Sequence, residues 1–415
     1  MNKKRSAFSG KIGYVLSAAG ASVGLGNIWR FPYLAAKYGG GIFLLVYIIL
    51  ALTFGYTMIV AESALGRMTR KSPVGAFRSF AKGKKVGWLS FGGWINAIIP
   101  VLIVPYYSVI GGWVVKYLFE YIRGNGNKLA EDGYFSGFIS NGGATEICFV
   151  IFCMFTLVII YAGVQNGIER VSKIMMPILI VLSVIIAIYS VTRPGAIEGV
   201  KYFLVPNVKN FSWMTVVAAM GQMFYSLSIA MGILVTFGSY MRKDTSIEDS
   251  TRNVEIFDTA IAMMAGLMII PAVFAFSGGD PDTLQAGPSL MFITIPKVFA
   301  NMGFGTAVGI LFFVLVLFAA VTSSIALTES AVSTFEDELG WGRKKATILT
   351  GVIMIALGTL SCLGYGPLDF VKIIGMQFLD FFDFLTNSVM MPIAALMTSL
   401  LVSRVIGVDK IEEEI

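Results

Sequence analysis

The chain has no histidine and only three cysteines in 415 residues. That removes the usual general base of a serine or cysteine nucleophile and leaves too few soft ligands for a transition-metal centre. Cys148, Cys153 and Cys362 all fall in apolar stretches, where cysteine behaves as a small hydrophobe, so neither a disulfide framework nor a metal site is expected. Charge is scarce as well. Asp, Glu, Lys and Arg make up 13% of residues against 56% hydrophobic, which excludes a soluble catalytic domain and points to an all-α polytopic membrane protein.

Long apolar runs are what the chain has in abundance. They predict ten spans, near 12–37, 42–66, 88–122, 146–163, 168–192, 213–239, 255–277, 306–334, 345–363 and 370–404. The basic start Met1 to Arg5 precedes a long apolar stretch with no small-residue cleavage pattern, so a retained first span is expected rather than a removable signal. The net charge of +6 reflects orientation rather than a nucleic-acid partner. Lys3, Lys4, Arg5 and Lys11 share one side with Arg67, Arg70, Lys71, Arg78, Lys82, Lys84, Lys85, Arg242, Arg343 and Arg404, while Arg123, Lys128, Arg193, Lys201, Lys209 and Lys297 lie opposite. The positive-inside rule then places both termini in the cytoplasm, with the chain in the inner (plasma) membrane.

Two spans are broken at mid-length by small, helix-weakening residues: Gly20 to Asn27 in the first and Ser226 to Gly232 in the sixth. Unpaired backbone groups cost several kcal/mol each in hydrocarbon, so such breaks persist only where they face protein, water or a ligand. Interruptions at corresponding positions of two halves mark a secondary transporter's midplane site. Spans one to five (about 12–192) and six to ten (about 213–404) form the halves, and their odd number makes them inverted repeats. The segment 278–304 reads as an extracellular lid, or equally as a passive connector. Residues 405–415 read as a cytoplasmic tail.

The first break would offer the carbonyls of Gly20, Ser22 and Val23 to a hard cation and the N–H groups of Leu25 and Gly26 to a carboxylate, with the Asn27 side chain adding an oxygen. Asp258 is a carboxylate amid apolar neighbours in span seven, a functional position by default, and a bound cation is its expected partner. Glu62 in span two is expected to accept N–H groups freed by the breaks. Thr322, Ser323 and Ser324 supply hydroxyls near the middle of span eight; such groups commonly bond back to their own helix, but oxygen-only ligation also suits a hard cation. Arg30 would find its counter-charge in Asp383, and Arg5 in Asp337.

The stretch GASVGLGNIWRFPY at 20–33 closely resembles the first-span signature of the neurotransmitter:sodium symporters. So do GVQNGIERVSKIMMP at 163–177, GQMFYSLSIAMG at 221–232, AAVTSSIAL at 319–327 and FEDEL at 335–339. The resemblance implies the five-plus-five inverted-repeat fold of bacterial leucine-transporter-like proteins and sodium-driven symport of an amino acid or amine, with Na+ at two sites and no organic cofactor. It implies a first sodium site of Ser22, Asn27, Ser226 and Asp258, and a second of Gly20, Val23, Ala319, Thr322 and Ser323. The substrate would meet Ser22, Gly24, Leu25, Gly26, Tyr107, Tyr225 and Ser226. Its side chain would lie among Ile103, Ser228, Ala230, Met231, Ser323 and Leu327, a lining suited to a neutral hydrophobic or aromatic amino acid. Tyr225, Arg30 and Asp383 would gate the outside; Arg5, Asp337, Phe8, Ser239 and Tyr240 the inside.

Three departures from the pattern carry weight. Asp258 stands where chloride-dependent relatives carry Asn, so a fixed negative charge replaces the anion and chloride-independent transport is expected. Ala230 replaces a common Gly, and its methyl is expected to trim the pocket. The chain has about ten spans where bacterial members commonly have eleven or twelve. Two rivals remain from the residues alone: an ion channel, which would need a continuous polar stripe, and a membrane hydrolase, which would need a base for Ser323. No obligate protein partner is evident.

Overall fold

The computed structural model describes residues 5–81, 87–278 and 287–415. Lys3, Lys4, Lys82, Lys84 and Lys85, and residues 279–286 of the expected lid, lie outside the described residues. Among the described residues eight helices are long and apolar enough to cross a membrane: Gly41–Thr69, Gly87–Ile122, Gly142–Tyr161, Val164–Val191, Ile247–Ser277, Gly305–Glu338, Arg343–Leu363 and Phe378–Ile406. Two further crossings complete the set of ten. Span one is divided into Lys11–Ser22 and a second half, Gly26–Arg30 with Phe31–Lys37; span six is divided into Trp213–Ser226 and Ile233–Tyr240. The two spans without one continuous apolar helix are thus the two with helix-weakening residues at mid-length. Spans one to five and six to ten form the two inverted five-helix halves.

Boundaries differ from the sequence expectation by more than four residues at two places. Span seven begins at Ile247, not near 255, because the Ser246 side chain caps the helix by accepting the Asp249 N–H at 3.1 Å, and the first two turns are polar on one side. Span ten begins at Phe378, not near 370, since the apolar residues from 370 onward form a turn closed by paired bonds between Ile373 and Met376.

The broken spans sit at the centre, packed chiefly on the long spans two, seven and eight. Span three contains Pro100 and Pro105. A proline cannot donate to the carbonyl four residues earlier, so Pro100 leaves the Asn96 carbonyl without its helical donor. Gly232 of span six, at φ +70, packs against that carbonyl, so closely that a Cβ would lie 2.6 Å away.

Arg5 and the last helix lie on one side, called here the terminal side. Arg5 pairs with Asp337 at the end of span eight at 2.5 Å, and Glu414 of a short last helix, Val408–Glu414, pairs with Arg67 at the end of span two at 2.6 Å. On the opposite side the described part of the 278–304 segment forms two short helices, Leu290–Thr294 and Ile295–Ala300. Their apolar residues Leu290, Phe292, Ile295, Val298 and Phe299 are buried, and Tyr117 of span three donates to the Phe292 carbonyl at 2.8 Å.

Candidate functional site

The first span's break is short. Ser22 ends the helix, Val23 turns to an extended ψ of 92°, and a wide π-helical turn resumes at Gly26. The sixth span's break is longer, running through 227–232, with Ser228 at φ 55 and Ala230 at φ 60 in the left-handed region. Span two braces it: the Ala230 N–H donates to Glu62 Oε1 at 2.9 Å. Two bonds tie the breaks together, from Ser228 Oγ to the Ala21 carbonyl at 3.1 Å and from Gln222 Nε2 to the Gly26 carbonyl at 3.1 Å.

Beside this junction lies Asp258, fully buried. Its carboxylate accepts Asn27 Nδ2 at 2.7 Å, Ser226 Oγ at 2.9 and 2.8 Å, and Tyr47 OH at 3.0 Å, while Asn27 Oδ1 accepts the Gly24 N–H at 3.3 Å. Every donor is neutral. Among the described residues no Lys or Arg pairs with Asp258. A buried carboxylate in hydrocarbon without a cationic side chain, held by two hydroxyls and an amide, has the chemistry of a site for a hard cation. Asn27 turns its Nδ2 rather than the expected oxygen toward Asp258, because its Oδ1 accepts the Gly24 N–H. Sequence reasoning named Asn27, Ser226 and Asp258 but missed Tyr47, whose apolar setting in span two gives no signal.

On the other side of the first break, Ser323 Oγ lies 3.3, 3.1 and 3.4 Å from the carbonyl oxygens of Gly20, Ala21 and Val23. Thr322 Oγ1 donates back to Phe318 O at 2.9 Å and Ala319 O at 3.2 Å. Residues of spans one and eight named for a second ion site are therefore neighbours. Gly20 permits this approach, since a Cβ would meet Thr322 Cβ at 3.1 Å.

Between the two clusters is a small cavity. Ser22, Gly24, Leu25, Gly26, Ile103, Tyr107, Tyr225, Ser228, Met231, Ser323 and Leu327 line it, as does Asn27. Ala21 and Ile233 line it too and were not anticipated. One end is polar, where the Leu25 N–H donates to Tyr107 OH at 3.2 Å; the rest is mainly apolar. Two expected lining residues are absent. Ser226 turns its hydroxyl to Asp258, and Ala230 turns its N–H to Glu62 within buried packing, so the Ala230 methyl does not trim the cavity.

The closures on either side differ. On the terminal side Arg5 donates to Asp337 at 2.5 Å and to Ser239 Oγ at 2.9 Å, and its guanidinium stacks 4.9 Å from the Tyr240 ring centroid. Phe8, buried below the cavity, packs edge-on against Tyr14, Phe237 and Tyr240. On the opposite side Tyr225 covers the cavity with Arg30 stacked 5.0 Å from its centroid. The expected Arg30–Asp383 ion pair is not formed. Asp383 instead accepts Asn387 Nδ2 of its own helix at 2.7 Å and Tyr106 OH of span three at 3.2 Å.

Comparison with known proteins agrees with this geometry. The profile of the Sodium:neurotransmitter symporter family matches residues 5–127 and 134–415. An uncharacterised sodium-dependent transporter of Bacillus subtilis is 36% identical over 95% of this chain and 87% of its own length. A sodium- and chloride-dependent GABA transporter 2 from Homo sapiens is 26% identical over 99% of this chain and 75% of its own. The crystal structure of MhsT in complex with L-phenylalanine superposes with a TM-score of 0.89 at 37% identity, covering 99% of this chain and 93% of that one.

Proposed function

This chain belongs to the Sodium:neurotransmitter symporter family, a family of sodium-coupled transporters, and from that premise we propose that it imports a neutral hydrophobic or aromatic amino acid by alternating access, without requiring chloride. The observation that carries this reading is the cavity itself. A carboxylate-compatible end formed by the Leu25 N–H and Tyr107 OH adjoins the Asp258 cluster, and the remaining walls are Ile103, Met231, Ile233 and Leu327. The amino-acid carboxylate would lie next to the first ion, so ion and substrate stabilise each other directly. The second ion would join the first span to the eighth through Gly20, Val23, Ala319, Thr322 and Ser323, favouring the state closed on the terminal side.

That side is read as cytoplasmic, with both termini there. Each 100 mV of membrane potential then adds roughly 2.3 kcal/mol per sodium carried inward, enough to accumulate a zwitterion. The Asp258 carboxyl group beside the first break, a built-in source of negative charge, supports chloride independence. The phenylalanine bound in MhsT supports an aromatic side chain in a pocket of this lining. Uptake of a panel of amino acids into proteoliposomes tests the proposal. Accumulation of apolar or aromatic members is expected only under an inward sodium gradient, and unchanged in chloride-free buffer. Equal uptake without sodium, or a strict need for chloride, would refute the corresponding part.

A further inference from the structure

The stretch Gly163 to Pro177 carries one of the most distinctive patterns of the sequence, yet none of its residues lines the cavity. The terminal side shows what it does. Gly163, at φ +96, leads into a π-helical turn, Val164–Glu169, that sets the Glu169 carboxylate against the start of the chain. The Ser9 N–H donates to Glu169 Oε2 at 2.9 Å, and the Ser9 hydroxyl donates to the same carboxylate. Lys173 Nζ bridges Glu169 Oε1 at 2.6 Å and Ser9 Oγ at 3.3 Å, and Gln165 Nε2 donates to the Ala7 carbonyl at 2.7 Å. Glu169 is only 2% exposed, and it fits because Gly13 has no side chain: a Cβ there would lie 2.3 Å from Glu169 Oε1.

Phe8, between the two clasped residues, faces the other way and donates its N–H to the Tyr240 carbonyl at 3.0 Å. The segment crossing beneath the cavity is therefore stitched on both sides. Arg5 and Phe8 fasten it to spans six and eight; Ala7 and Ser9 fasten it to span five. The Arg5–Asp337 pair keeps part of its surface exposed, where solvent screens an ion pair. The buried Glu169 carboxylate holds a backbone N–H and a hydroxyl in charge-assisted bonds, which are the stronger kind.

We propose that Glu169 is a positioning residue of the transport cycle: by gripping Ser9 it keeps residues 5–10 and the first half of span one seated across the terminal-side exit, and this clasp is released each time the cavity opens to that side. The inference rests on the alternating-access reading above. It also fixes a direction. Weakening the clasp raises the population open to the terminal side, in which the first span parts from the eighth and the second ion site is incomplete. The apparent sodium affinity then falls in proportion to the competent fraction.

The test is Glu169→Gln in the full chain. Amide exchange across residues 8–20 is expected to rise about tenfold at low sodium and to return toward wild type at saturating sodium, with spans three and nine unaffected. The sodium concentration for half-maximal uptake is expected to rise about tenfold, with maximal uptake within about twofold of wild type. Ser9→Ala, at an exposed residue, should act in the same direction more weakly and keeps the test decisive if the first variant does not fold. Unchanged exchange and sodium dependence would overturn the proposal. So would faster exchange throughout the protein that sodium does not reverse, since that marks support of the fold alone. Failure of the wild-type protein to take up any amino acid with sodium would instead overturn the transport reading, leaving the exchange result to judge the clasp.

Discussion

The two interrupted spans solve the same problem in different ways. The first breaks over two or three residues with unstrained backbone, and its small residues let neighbours approach: Gly20 meets Thr322, Gly24 meets Ser323 and Tyr107, Gly26 meets the Tyr225 ring. The sixth stays irregular over six residues and holds two non-glycine residues, Ser228 and Ala230, at positive φ. An L-residue there costs roughly 1–2 kcal/mol, so the conformation needs outside support, which Glu62 supplies from span two. On the proposed reading the first break is the main contact surface for ions and substrate, and the sixth, apart from Ser228 and Met231, which also line the cavity, is the braced frame that keeps that surface open. Substitutions in the first should change binding; those in the sixth should change stability more than binding.

Removing Asp258 should have the largest effect, since it takes away the carboxylate that joins Asn27 of the first break to Ser226 at the edge of the sixth. Asp258→Ala leaves Asn27, Ser226 and Tyr47 with no anion to receive them. Losing a group that only supports a metal ligand typically lowers metal affinity by about 10–100-fold, so removing a directly coordinating carboxylate should lower the apparent sodium affinity of uptake by at least that much. Sodium titration of uptake, with substrate saturating, measures it; an unchanged midpoint would remove Asp258 from the ion site.

Next in size is Gly24→Ala. A Cβ at Gly24 would lie 2.6 Å from Ser323 Oγ and 3.1 Å from Tyr107 OH. The Ser323 hydroxyl is engaged with three carbonyls of the first span, so it has little freedom to retreat. Overpacking of this kind costs about 1–3 kcal/mol, and here it falls on the end of the cavity assigned to the substrate carboxylate. The KM for substrate should rise about tenfold or more, a factor of ten being about 1.4 kcal/mol. Wild-type KM in this variant would show that the substrate lies elsewhere.

Much of this was legible because membranes penalise irregular backbone so heavily. Both breaks, the isolated Asp258 and the hydroxyls of span eight stand out as letters, and the structure sets Asp258 and Ser323 against opposite sides of the first break. Other features leave no such mark. Tyr47 and Ile233 sit in ordinary apolar runs, and only packing reveals that one donates to Asp258 while the other lines the cavity. The Arg30–Asp383 pairing followed from charge alone, but Asp383 accepts its bonds from Asn387 and Tyr106. The polar first turns of span seven hid its true start, because an amphipathic extension beyond the hydrocarbon looks like a loop in a hydropathy reading. Composition locates the lipid boundary; caps and side-chain bonds decide where a helix actually ends.

Ala230→Gly gives the smallest expected effect and the sharpest separation of the two breaks. At φ 60 a glycine removes the Cβ penalty of roughly 1–2 kcal/mol, but it also raises the freedom of the unfolded chain by about 0.4–1 kcal/mol. The net change is a stabilisation of about 1 kcal/mol or less, read as a rise in the thermal midpoint of about 1–2 °C. Because the methyl lies in buried packing beside Glu62 and away from the cavity, KM should stay within about twofold of wild type. A KM change as large as that of Gly24→Ala, with no gain in stability, would place Ala230 in the binding surface and erase the distinction between a contact break and a braced one.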